Sequence, residues 1–307
     1  FSKWIALALP LFLVVLFIIY HFSYGFYLLP ISILALFIPA LTSKWRWLII
    51  FTSLFVILSS LEARINVLKF TVPILLSFLY YQPKLLKVIS LKIVFKVLFL
   101  VPVLFFLLGI TNVFNIFKMD EYMTGDYTTM SMNDGEIKKE SLTVDTRTFI
   151  YEEVIQSALV HNYVLFGRTA ARGYDSDFFG SKIEEQIGTG RYERYGCEVS
   201  ILNKLTWLGL VGVILFFLIF YKAVLLALTD SNSLYMKIVG LYVLFRWIYA
   251  WVEDFNSFSI MNLMLWAVIA MCYSPAFRAM TDQEFKFWVR GVFDKRYRKF
   301  HTNKAIH

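Results

Sequence analysis

Cysteine and histidine are scarce in this sequence: two Cys, Cys197 and Cys272, and four His among 307 residues. No Cys/His or His/carboxylate group has ligand spacing, so no metal site is expected and no cofactor is implied. Two unpaired cysteines exclude a disulfide framework. On the topology derived below they fall on opposite sides of a membrane, which excludes a bridge between them. Charged residues are also few, at 17%, against about 25% in soluble domains. There is no phosphate-binding Walker loop, no dinucleotide fingerprint and no Ser-nucleophile elbow. Internal repeats of the kind common in transporters are absent as well.

What the chain has instead is apolar surface. It is 59% hydrophobic and 19% aromatic, with mean hydropathy +0.63. That composition reads as an all-α, polytopic transmembrane helix bundle. Eight apolar runs approach the length of a crossing: 4–20, 26–41, 45–60, 66–81, 91–112, 199–228, 237–252 and 258–275. The first five make an N-terminal part, residues 1–112. The last three make a C-terminal part, 199–275, followed by a basic cytoplasmic tail, 276–307. The first residue is Phe1, not Met, which leaves room for further spans upstream. The first apolar run leads straight into others, unlike a cleavable signal peptide.

The net charge of +8 is unevenly spread, for residues 113–198 hold nine Lys/Arg against fifteen Asp/Glu. This asymmetry suits a membrane protein better than nucleic-acid binding. Lys44 and Arg46, then Lys84, Lys87 and Lys92, then the tail from Arg278 onward all fall on one side, the cytoplasmic one by the positive-inside rule. Residues 113–198 then form one large extracytoplasmic loop. Its first part, MDEYMTGDYTTMSMNDGEIKKES, is polar and reads as mobile. Its second part, TVDTRTFIYEEVIQSALVHN, carries a helix signature. Asp145 or Thr146 can cap it, and Phe149, Ile150, Val154, Ala158 and Leu159 recur at helical spacing.

The candidates for chemistry are cations outside and acids at span mouths. Arg64 stands at the mouth of the fourth span, Arg147 opens the loop helix, and Arg168 and Arg172 follow in a Gly-rich turn. Guanidinium forks suit phosphate oxygens, though each of these arginines can equally pair with the loop's many acids. Arg246 sits nine residues from Lys237 and seven from Glu253, near mid-membrane. There it either pairs with an acid or contacts substrate. His161 is either an acid/base group or a plain cation at a helix C-terminus. Glu198 directly precedes a long apolar run, in ERYGCEVSILNKLTWLGLVG, where dehydrating a carboxylate is costly.

These segments resemble a family. DTRTFIYEEVIQSALVHNYVLFGRTAARGY resembles the large periplasmic loop of O-antigen ligases and O-antigen polymerases, with its Arg-led helix and following glycine turn. EVSILNKLTWLGLVGVILFF resembles the family's next segment, where a polar catalytic residue enters a span carrying a GLxG element. LSSLEARINVLKF resembles its upstream span mouth. The resemblance implies a bacterial inner-membrane glycosyltransferase that is metal-independent and works on the periplasmic face. Its donor would be an undecaprenyl-diphosphate-linked oligosaccharide and its acceptor a glycan, with a chain-length regulator or flippase as partner. Arg64 and Arg147 would hold the donor pyrophosphate, assisted by Arg168 or Arg172, and Glu198 would be the general base, with Arg246 and His161 supporting. The family's ligases place His where this chain has Glu198, and Ala63 stands where a Ser precedes the arginine. Both departures favour a polymerase over a ligase that moves finished glycan to lipid A core. A transporter lined by Arg246 and Glu253 is the remaining alternative.

Overall fold

The computed structural model describes residues 10–19, 23–59, 64–89, 92–111, 113–118, 121, 128–133, 136–141 and 147–298. These residues are mostly helical. The helices used below are α1 (Leu29–Ala35), α2 (Ser43–Ser59), α3 (Arg64–Phe78), α4 (Lys92–Ile110), α5 (Thr148–Val160), α6 (Gly180–Ile187), α7 (Ser200–Thr229), α8 (Leu234–Tyr249), α9 (Ile260–Tyr273) and α10 (Asp282–Phe293). The chain divides into two compact units. One holds residues 1–95, 221–245 and 258–307, and the other 96–220 and 246–257.

By length and composition two of the described helices can cross a membrane, α4 and α7. Among the described residues the helices at the other expected crossings are shorter, and residues 4–9 of the first lie outside the described residues. Residues 26–41 do not form one helix: α1 is followed by a 3₁₀ turn, Ile38–Ala40, and nearly every side chain from Leu28 to Leu41 is buried. Pro30 and Pro39 explain the breaks, since each starts a new short helix and neither can donate to a preceding turn. Arg46 closes the segment by donating to the carbonyls of Ile38 (3.1 Å) and Leu41 (3.3 Å).

In the same unit the basic C-terminal segment folds as helix. Thr281 and Glu284 form a reciprocal capping box at the start of α10. Buried Phe285 then stacks on Tyr235 and meets Phe37, with ring centroids 5.3 and 5.5 Å away. Asp282 accepts from the Ser233 hydroxyl (2.8 Å) and the Leu234 N–H (2.7 Å), which fixes the start of α8.

In the second unit α4 stays helical through Pro102. The Trp247 indole donates to the Phe99 carbonyl at 3.1 Å, one turn before the proline. The segment expected to be mobile, before α5, instead contains an antiparallel pair, β1 (Thr128–Asn133) and β2 (Glu136–Ser141). A second, two-residue ladder joins β3 (Tyr174–Asp175) to β4 (Glu193–Arg194). Both cysteines are free and buried.

Candidate functional site

Helix α5 organises the site. Its N-cap is Arg147, which makes no side-chain capping bond. Asp145 and Thr146, expected as caps, lie outside the described residues. The inner face of α5 follows its apolar spacing: Ile150, Tyr151 and Val154 are buried against Tyr174, Cys197, Val199 and Leu202. The Tyr151 hydroxyl donates to the Trp251 carbonyl at 2.6 Å. Leu159, expected on this face, is exposed. It lies on the opposite face with Thr148, Glu152, Ile155 and Gln156. That face forms one wall of a cavity of about 670 Å³. Apolar side chains of α4, among them Val101, Phe105 and Phe106, form another wall, and Ile248, Trp251 and Val252 complete it. Arg147 adjoins this cavity, with its Nε 3.4 Å from the Val252 carbonyl.

Behind α5 the arginines of the turn converge on acids. Glu193 is almost wholly buried, at 4% exposure. Arg172 donates to it through Nε, 3.0 Å from each carboxylate oxygen, and also through Nη2. The Gly173 N–H donates at 3.1 Å, and Arg168 Nη2 lies 3.4 Å away. Burial works against ionisation of Glu193. The Arg172 bonds, the Gly173 N–H and the charge of Arg168 outweigh it and hold the carboxyl below the usual glutamate range. The same bonds raise Arg172. Arg168 also donates to the Gly173 carbonyl (2.9 Å), approaches Asp175 (3.5 Å) and lies 5.0 Å over the Tyr163 ring. His161, the C-cap of α5, places Nε2 2.5 Å from the other oxygen of Asp175.

Glu198 stands apart from this chain of charges. Its side chain is 45% exposed and pairs with Arg194 at 2.6 Å. Arg194 in turn lies 4.2 Å over the Phe179 ring. On either side of Glu198 the backbone is pinned. Cys197 and Val199 are buried. Asn203 bonds both backbone groups of Cys197 at 2.8 Å. Burial pushes the Cys197 thiol up to about 12. Asp254 accepts from Asn203 (3.0 Å) and Asn256 (2.6 Å), and the Phe255 N–H donates to the Ser200 hydroxyl (2.9 Å). An exposed carboxylate is thus carried on a rigid backbone.

Helix α7 is not one straight rod. Gly209 has φ 65° and ψ −166°, a conformation open essentially to glycine alone. In an unbroken helix Leu210 and Val211 would donate to Thr206 and Trp207. Here the Arg168 and Thr169 N–H groups donate to Thr206 (2.7 Å) and Trp207 (3.0 Å), while Leu210 and Val211 donate to Val164 (2.8 Å) and Leu165 (3.2 Å). The loop has replaced two intrahelical bonds with four of its own. Gly167 and Gly209 permit this approach. A Cβ on Gly209 would sit 2.3 Å from the Leu165 backbone, and one on Gly167 2.4 Å from that of Leu208. The short arm, Ser200–Leu208, bends back towards the long arm, Leu210–Thr229. Phe255, bonded to Ser200, has its ring 6.1 Å from Phe216. Those two helical residues would lie about 24 Å apart along a straight helix.

The structure therefore brings Arg168, Arg172 and His161 together through Asp175 and Glu193. It leaves Glu198 with Arg194 and sets Arg147 beside the cavity. Arg246 is 2% exposed in the last turn of α8, its guanidinium 4.6 Å over Phe255. Arg64 opens α3 in the other unit, and its side chain lies outside the described residues. Sequence reasoning missed Glu193, Asp175 and Arg194, because their partners are set by chain reversals that no periodicity announces. Among the described residues no group of three or more His, Cys, Asp or Glu could hold a metal. The chain matches no family model, no curated protein and no solved structure.

Proposed function

We propose that the chain is a multi-pass glycosyltransferase of the bacterial inner membrane, with residues 113–198 on the periplasmic face, and that it polymerises repeat units carried on undecaprenyl diphosphate. The observation that carries this reading is the cavity beside Arg147. A largely apolar cavity with Arg147 bonded to one of its lining residues, Val252, suits an apolar chain bearing a diphosphate head. Two helices long and apolar enough to cross a membrane support the setting.

In this mechanism the acceptor hydroxyl oxygen attacks the anomeric carbon as the bond to the diphosphate breaks. The hydroxyl proton passes to a base at the aqueous edge, and exposed Glu198 is the candidate. Negative charge growing on the leaving diphosphate is met by Arg147, a fixed cation that needs no reorganisation. Arg168 and Arg172, whose forks are directed at Glu193, act by holding the loop in shape. Arg194 orients Glu198.

The test is glycan sizing in the native host and donor binding by purified protein. Glu198→Gln is expected to abolish polymer while leaving expression and insertion intact, and a fully active variant would remove Glu198 as base. Arg147→Ala is expected to weaken binding of the lipid donor about tenfold or more, on the scale of one lost charge-assisted contact. Unchanged donor affinity would sink its phosphate role. Deletion of the gene should leave single-unit glycan. Free lipid-linked polymer in its place would turn the assignment to a ligase.

A further inference from the structure

The turn at residues 164–166, which follows α5, is unusually apolar for a connecting segment. Phe166 is 76% exposed and Leu165 58%, and Leu159 and Val160 at the end of α5 are exposed beside them. This surface does not stand alone. Val164 and Leu165 accept backbone bonds from Leu210 and Val211, so the turn is fastened to the top of the long arm of α7. There the exposed side chains are Leu210, Val211, Ile214 and Leu215, on one of the two described helices long and apolar enough to cross a membrane. Those two backbone bonds tie the exposed apolar turn directly to the exposed apolar arm.

The break at Gly209 also fixes a height. The long arm, Leu210–Thr229, is about 30 Å long, which matches the hydrocarbon thickness without the short arm. Non-helical backbone at that depth is tolerated where its polar groups are satisfied by protein, and the loop supplies those four bonds. Arg168 and His161 flank the apolar turn and direct their polar ends towards Asp175, away from an apolar phase.

We propose that the turn 164–166 is an interfacial anchor inserted among the lipid chains of the outer leaflet at the level of Gly209. The occupant of this face is the bilayer itself, and the inference rests on the membrane reading of α7 given above. Through the joint, the anchor sets the height at which the short arm, and Glu198 before it, meets the membrane surface.

Nitroxide labels on the full chain in phosphatidylcholine nanodiscs test this. Single cysteines replace Phe166, Ile214 and Gln186, the last an exposed polar position on α6. Cys197 and Cys272 are buried, and wild-type protein taken through the same labelling gives the background. The ratio of oxygen to nickel-chelate collisions is expected to be several-fold higher at positions 166 and 214 than at 186. A nickel-accessible label at 166, with 214 still oxygen-accessible, overturns the anchor and leaves the membrane reading intact. Nickel access at 214 overturns the membrane reading and the anchor with it.

Discussion

Helices α4 and α7 are the two long apolar helices among the described residues, and they fail to match in an instructive way. Helix α4 contains a proline and remains a helix. Helix α7 contains none and breaks. In α4 the helix runs on through Pro102, with the Trp247 indole bonded to the Phe99 carbonyl nearby. In α7 the break is made by a partner: a loop more than thirty residues upstream offers two donors and two acceptors, and the helix opens to take them. Proline marks where a helix is weak, whereas the position of this break depends on what docks there.

Glycine substitutions put that contrast to the test. Gly209→Ala should cost at least about 3 kcal/mol, combining a glycine-only conformation with a backbone clash. It should appear as lost monodisperse protein or a steep fall in thermal stability in detergent. Gly109→Ala in α4 should do the opposite. A Cβ there meets nothing within 4 Å, and at the penultimate residue of the helix replacing glycine stabilises by about 0.5 kcal/mol or less. Equal effects at the two positions would erase the distinction between a docked break and an autonomous helix.

Between these extremes lies Glu193, which shapes the loop that opens α7. Glu193→Gln leaves Arg168 and Arg172 without their shared anion, at a cost of about 3 kcal/mol. The wild-type loop should also respond to acid with a definite sign. The Glu193 carboxyl titrates below its ordinary value of 4.5 in the folded chain. Its contribution is therefore complete above that value and is lost as pH falls through the lower, folded-state one. Hydrogen exchange at residues 163–175 should accelerate over that acid range, and the effect should vanish in Glu193→Gln. An unchanged profile in the variant would assign the acid response to another group.

Part of this was legible in the residues. The inner face of α5 followed from Ile150, Val154 and Ala158, since burial of one helical stripe is a local property. The hairpin before it was missed although its signal was present: Asp134-Gly135, between TTMSMN and EIKKES, is a favoured turn dipeptide. The long apolar runs predicted helix correctly but misjudged extent. Residues 26–41 carry two prolines and shatter into short buried pieces, and 199–228 bends at a glycine whose conformation depends on another segment. The arginines were found by type and sidedness. Their destinations were not, because Arg172 meets Glu193 only after the chain has turned back through α6 and formed the β3–β4 ladder.

The exchange of bonds at Gly209 also dictates an order of assembly. Opening a helix in hydrocarbon with nothing to receive its four freed backbone groups costs several kcal/mol for each. In the proposed membrane setting the continuous form, with its two arms in line, is therefore favoured until residues 163–169 arrive. In that setting the bend forms once the loop has crossed and folded. That loop is synthesised before α7 and waits beside it. The position of Glu198 is then, in the same proposed setting, a late event in maturation, acquired when the loop docks on an inserted helix.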